Sequence, residues 1–154
     1  MQRLNVVAYI SMAFGNPYGE PWSTHAAIEG CEQLVSRGIR EISLADTVGL
    51  AEPGAIAETV ATVLGLQPEI EWGVHLHARR GEAAAKIRAA FEAGCRRFDG
   101  ALGGLGGCPF AQDDLVGNIP TEILLSTLRD CGAETPAIGP LESLIHASAQ
   151  IALI

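Results

Sequence analysis

Lysine is nearly missing from this chain. Its 154 residues hold one lysine, Lys86, and nine arginines against 18 acidic side chains, for a formal charge of −8. Basic residues this sparse make no cationic patch, so no nucleic-acid partner is expected. Long apolar runs are missing too. None approaches the ~18 residues that a membrane span needs, and the start, Met1 to Ile10, turns polar too soon for a signal peptide. No membrane partner is expected. Paired cysteines are also absent: Cys31, Cys95, Cys108 and Cys131 lie far apart with no C-x-x-C. That spacing excludes a zinc ribbon and a disulfide framework and reads as reduced, cytoplasmic thiols, three of them buried. Charged residues make up only 18% and hydrophobic ones 48%, so the chain is not disordered. Mean hydropathy is +0.24, and the excess apolar content must be buried within the domain or against another chain.

Glycine is abundant in one place. Asp99 to Asn118 carries Gly103, Gly104, Gly106 and Gly107, then Cys108 followed by a proline. Glycine at this density contributes no packing and costs backbone entropy. The stretch therefore calls for unusual φ/ψ, a ligand against the main chain, or motion. It lies between a strand-like run and a helix-like run, as a βα loop, and such loops form the ligand face of α/β folds.

The remaining chain alternates. Strands are expected over Leu4 to Ser11, Glu41 to Ala45, Glu69 to His77 and Arg97 to Leu102, where β-formers cluster. Helices are expected from Ser23 or Thr24 to Ser36, from Pro53 to Leu64, from Gly81 to Ala93 and from Pro120 to Arg129. A fifth is expected over Leu141 to Ile154. Ser23 or Thr24 supplies an N-cap, Gly38 a left-handed C-terminus and Pro53 a first turn. Four βα units with a period of about 30 residues predict a parallel sheet with right-handed crossovers, and they fit half of a (β/α)8 TIM barrel. In a half barrel Val7, Leu44, Val74 and Leu102 are expected to point inward and to be left facing solvent.

Several residues at strand ends could carry chemistry. His75 and His77, two apart on one strand, share a face and can point at one ion; otherwise they are a solvated surface pair. Asp46 and Thr47 close the second strand at the same end, although alone Asp46 would read as a turn or capping aspartate. Asn118 can give a carbonyl oxygen to an ion, or it is a turn residue. Cys108 is a general acid or nucleophile if its pKa is lowered, and an inert thiol otherwise. His25 and His146, on helical segments, are assigned to packing or solvent.

At these residues the chain resembles the 3-hydroxy-3-methylglutaryl-CoA lyase family. The likeness rests on Gly104-Leu-Gly-Gly-Cys-Pro-Phe-Ala, His75-Leu-His77, Ala45-Asp-Thr-Val-Gly and Phe14-Gly-Asn-Pro-Tyr-Gly, in the family's order and spacing. Members are TIM-barrel, metal-dependent lyases that cleave 3-hydroxy-3-methylglutaryl-CoA to acetyl-CoA and acetoacetate with Mg²⁺ or Mn²⁺. The resemblance implies that His75, His77 and Asn118 are metal ligands and that Cys108, Asp46 and His75 serve catalysis. It places Ser11 and Thr47 on the substrate side, with an acyl-CoA as substrate. One departure is Ala78-Arg-Arg-Gly after His77, where Asp-Thr-Tyr-Gly is common in the family.

A second departure weighs more. The chain begins at what resembles the family's fifth strand, so the first four units are expected to be absent. With them go an arginine, an acidic metal ligand and a glutamate. Two His and one Asn are neutral, which leaves an Mg²⁺-type ion short of anionic oxygen. The expected activity therefore needs an N-terminal half-barrel, as a chain from another gene or as part of a longer protein. The alternatives are an inactive truncated or split-gene fragment, folded by self-association, or a different H-x-H metal-binding protein.

Overall fold

The computed structural model describes residues 4–79, 81–107 and 116–151. Four strands form a parallel sheet in the order β1 (Val7–Ile10), β2 (Glu41–Ala45), β3 (Glu71–His75) and β5 (Arg97–Phe98). A two-stranded antiparallel ribbon joins β4 (His77–Ala78) to β6 (Gly117–Asn118). The crossovers are helices: α1 (Thr24–Ser36), α2 (Pro53–Leu66) and α3 (Ala83–Glu92). Two more follow, α4 (Thr121–Asp130) and α5 (Leu141–Ile151). The four βα units and the fifth helix stand as the sequence predicts.

Helix ends follow local chemistry. Ser23 caps α1, its Oγ accepting from the Ala26 amide at 3.2 Å, an interaction that contributes about 1 kcal/mol. Helix α2 has no side-chain cap and starts on Pro53. It is held instead by Ile56, Val60 and Val63, all buried at i, i+4 and i+7. At ~1.5–3 kcal/mol for each fully buried aliphatic side chain, this stripe outweighs any cap. Gly38 ends the first unit at φ 90°, the left-handed conformation expected there.

The core lies between the sheet and the helices, and its composition corrects one expectation. Leu44 and Val74 are buried with Ile42 and Trp72 against the helices, not exposed in an open bore; Val7 and Leu102 are partly buried. The parity of the strands decides this. Even-numbered residues of β2 and β3 face the helices, so odd-numbered ones face the other way. The ladder aligns Tyr9, Ser43, Gly73 and Arg97 in one row, with Ala45 beside His75 in the next. That face is polar. Arg97 lies over Gly73, where a Cβ would sit 2.7 Å from its Cζ, and its Nε is 3.4 Å from a Glu71 carboxylate oxygen.

Two strand ends also differ from the prediction. The third strand breaks at Leu76 instead of running to His77. The His77 carbonyl is taken by Lys86 Nζ at 2.8 Å, and His77 pairs with Asn118 in the ribbon. The fourth strand stops at Phe98 instead of Leu102. Beyond it Ala101 pairs with Pro120, and a short 3₁₀ turn, Leu102–Gly104, turns the chain. Gly103 and Gly104 there adopt φ 66° and 68°, the unusual conformation the glycine-rich run called for. Residues 152–154, part of the predicted fifth helix, lie outside the described residues, and so do Met1 to Arg3.

Cys31 and Cys95 are buried as expected, whereas Cys131 at the end of α4 is only partly covered and accepts from Arg88 Nη1 at 3.2 Å. Burial pushes the Cys31 and Cys95 thiols up to about 11 from an ordinary value of 9.0. Above pH 9 the unfolded chain loses these protons while the folded chain keeps them. The folded state then binds more protons, and stability falls as pH rises from 9.0 towards 11. With two groups the slope should approach ~2–3 kcal/mol per pH unit. Urea unfolding between pH 8 and 10.5 measures it. A flat profile, or a slope in the Cys31→Ala or Cys95→Ala chain as steep as in the wild type, would contradict this burial.

Candidate active site

The C-terminal ends of the sheet strands gather the site. The Asp46 amide donates to the His75 carbonyl at 2.9 Å and the Asp99 amide to the Val74 carbonyl at 3.2 Å. The segments after β2, β3 and β5 are thereby held side by side. A cavity of about 290 Å³ opens at this end, lined by Tyr9, Ser11, Ala45, Thr47, His75, His77 and Gly107. Four residues singled out in the sequence, Ser11, Thr47, His75 and His77, thus share one depression. Cys108 lies outside the described residues, and Gly107 before it is on the cavity wall. His25 and His146 are exposed on their helices.

Each histidine is oriented through Nδ1. His77, buried, lies with Nδ1 2.8 Å from the Asp46 carbonyl oxygen. A carbonyl only accepts, so Nδ1 carries the proton and Nε2 keeps its lone pair. Burial lowers the His77 pKa from its ordinary value, favouring the neutral imidazole that binds metals. His75, about one-third exposed, has Nδ1 3.3 Å from an Asp99 carboxylate oxygen. The two rings sit 5.0 Å apart at 80°. Asn118 faces His77 directly across the antiparallel ribbon, and its Nδ2 donates to the Leu105 carbonyl at 2.9 Å, leaving the amide oxygen.

Asp46 reaches the site through its main chain. Its carboxylate is buried, with Oδ1 accepting from the Ala51 amide at 3.0 Å and Oδ2 from Lys86 Nζ at 2.9 Å. The side chain that the resemblance assigns to catalysis therefore faces a lysine. Lys86 also donates to the carbonyls of Gly49 at 3.1 Å and His77 at 2.8 Å. Thr47 Oγ1 accepts from the Met12 amide at 2.8 Å, and Trp22 Nε1 donates to the Met12 carbonyl at 2.9 Å. Met12 has φ 56°, so these two bonds hold a strained turn right after Ser11.

Three participants escape the sequence reading. Lys86 pairs with a residue 40 positions away, and no local pattern announces that. Tyr9 OH donates to Asp99 Oδ2 at 3.0 Å. Asp99 follows its strand as Asp46 follows β2, and this repeated position was the available signal. The hydrogen bond from His75 holds the Asp99 carboxyl below its usual range against burial, while burial and the Asp99 contact raise the Tyr9 phenol.

Residues 6–148 match the family model described as HMGL-like. The chain belongs to the HMGL-like family. It is similar to a hydroxymethylglutaryl-CoA lyase of Bacillus subtilis, 36% identical over 94% of this chain and 48% of that protein. It is also similar to the (R)-citramalyl-CoA lyase of Chloroflexus aurantiacus, 40% identical over 90% of this chain and 43% of the relative. Among solved structures, an HMG-CoA lyase from Acinetobacter baumannii in complex with coenzyme A and 3-methylmalate superposes with a TM-score of 0.79 at 37% identity. That match covers 96% of this chain and 47% of the other. The chain spans about half the length of the curated relatives it matches, and its four parallel βα units correspond to about half of a barrel of the HMGL-like lyases.

For a divalent cation, the donors present are two imidazoles with protonated Nδ1 atoms and one amide oxygen. They fit as three neutral positions of a shell that in Mg²⁺ or Mn²⁺ sites is usually completed by carboxylate, substrate and water oxygens. Among the described residues, no group of three or more His, Cys, Asp or Glu is placed to hold a metal. No helix among them is long and apolar enough to cross a membrane.

Proposed function

We propose that this chain supplies one half of the active site of a lyase that cleaves 3-hydroxy-3-methylglutaryl-CoA to acetyl-CoA and acetoacetate. One observation carries the reading: Ser11, Thr47, His75, His77 and Gly107 line a single cavity at the strand ends. Similarity to two acyl-CoA lyases supports it. A divalent cation, Mg²⁺ or Mn²⁺, would be held by Nε2 of His75 and His77 and by the Asn118 amide oxygen, and when bound it polarises substrate oxygens. Asp46 and Asp99 hold the two rings for that task. Thr47 fixes the turn that presents Ser11 to the substrate.

The bond change is a retro-Claisen cleavage. A base in the assembled site takes the proton of the tertiary hydroxyl, whose oxygen becomes the ketone of acetoacetate. The C2–C3 bond breaks, and its electron pair moves onto C2 as the enolate of the acetyl thioester. Cys108, beside the cavity wall in sequence, is assigned the proton that this carbon takes up. The partner in the proposal is a half-barrel chain supplying an acidic oxygen ligand and a cation for the enolate. Its surface is the two outer strands of the four-stranded sheet, β1 and β5.

The test mixes the chain with the first four βα units of an HMGL-like lyase and assays 3-hydroxy-3-methylglutaryl-CoA beside (R)-citramalyl-CoA. Cleavage of the first is expected. Cleavage of the second alone would move the substrate assignment to the shorter acyl group. Cys108→Ala should lower turnover by ~10²-fold or more, the usual contribution of a positioned general acid. Cys31→Ala and Cys95→Ala should not, and three similar effects would remove Cys108 from the chemistry.

A further inference from the structure

We propose that Asp99 is a positioning residue that holds His75 in the tautomer with its proton on Nδ1, so that Nε2 faces the cavity with a free lone pair. Asp99 sits where the chain leaves β5, its amide fastened to the Val74 carbonyl at 3.2 Å, one residue from His75 on the neighbouring strand. Its Oδ2 lies 3.3 Å from His75 Nδ1 and accepts from Tyr9 OH at 3.0 Å. The Tyr9 ring meets the His75 ring edge-on, with centroids 5.9 Å apart at 85°. One carboxylate oxygen thus receives both the ring and the phenol that packs on it. An ionised carboxylate only accepts, so the nitrogen facing it carries the proton.

The arrangement repeats, with a different acceptor, what Asp46 does for His77. There the main-chain carbonyl oxygen lies 2.8 Å from Nδ1. Two rings 5.0 Å apart are therefore locked the same way round by acceptors from the two strands flanking β3, β2 and β5. A carboxylate or carbonyl behind a ligating histidine fixes its ring and raises its basicity, and loss of such a partner typically weakens metal affinity ~10- to 100-fold. The meaning of this lock for a cation rests on the functional reading above. The tautomer does not.

The experiment uses the full chain, labelled with ¹⁵N in the imidazoles, free of metal at pH 8, and reads each tautomer from two-bond ¹H–¹⁵N couplings. Both His75 and His77 are expected to show the proton on Nδ1. In Asp99→Ala, His75 should move to the Nε2–H form that free imidazole favours, while His77 stays unchanged and reports an intact fold. Asp99→Asn, whose amide oxygen can still accept, should restore the wild-type pattern. A proton on Nε2 of wild-type His75, or no change in Asp99→Ala, would overturn the proposal. The wild-type spectrum decides the first point even if Asp99→Ala does not fold. Mn²⁺ alone is then titrated in. Broadening of the His75 and His77 signals, at concentrations ~10- to 100-fold higher in Asp99→Ala, is expected. Absence of broadening in the wild type would sink the cation reading and leave the tautomer assignment standing.

Discussion

Lys86→Met is expected to destabilise the fold by ~3–5 kcal/mol, the usual result of stripping one partner from a buried ion pair. Total stability for a domain is about 5–15 kcal/mol, so the variant should sit near the edge of folding. The chain's one lysine is only 3% exposed and donates to Asp46 Oδ2, the Gly49 carbonyl and the His77 carbonyl. Methionine fills a similar volume but leaves three acceptors without a donor, one of them an ionised carboxylate that is 2% exposed. Asp46→Asn in the same chain removes that charge and keeps the Ala51 contact, and it should recover part of the loss. Urea unfolding of the wild type, both single variants and the double variant closes the cycle. A Lys86→Met chain within ~1 kcal/mol of wild type would show that the three bonds are not holding the site together.

The second large effect concerns the histidines. In the chain assembled with a complementary half, His75→Ala and His77→Ala should each lower Mn²⁺ affinity by at least ~100-fold, since even an outer partner of a ligating residue is worth 10- to 100-fold. His146→Ala, exposed on α5, should leave binding unchanged. Titration calorimetry separates these outcomes. Unchanged affinity in either histidine variant would remove that residue from the donor set. The chain alone should bind more weakly than the assembled protein, because its three donors are all neutral.

These two expectations differ in how far the sequence foreshadows them. His75 and His77 are two residues apart, so strand periodicity alone puts both rings on one side. Ser23, Gly38 and Pro53 mark helix ends through interactions that span a few residues, and the α/β alternation follows from them. Long-range choices are less visible. Whether Leu44 and Val74 face helices or the bore depends on strand parity relative to neighbours, and a shift of one residue reverses it. The break at Leu76 depends on Lys86 and Asn118, which arrive from ten and 42 residues further along. Lys86 itself reads as an ordinary helical residue. Its partners are fixed only when α3 packs between α2 and α4 and against β4, so nothing at its own position distinguishes a buried clamp from a solvated charge. The glycine-rich run was legible as strained backbone, because Gly103, Gly104 and Gly106 all take positive φ.

The β4–β6 ribbon separates what must stay fixed from what is free to change. Asn118 is the ladder partner of His77, its amide nitrogen donates to the Gly106 carbonyl at 3.1 Å, and its side chain holds the Leu105 carbonyl. The stretch from Gly107 to Val116 therefore leaves and returns through two points already pinned to each other. Lengthening such an excursion raises its closure entropy only slowly, by ~0.6 kcal/mol for each doubling. Changes in the length of that connection can accumulate over generations without displacing Asn118 from His77. The pairing of His77 with Asn118 is thus inherited intact while the length of the connection drifts.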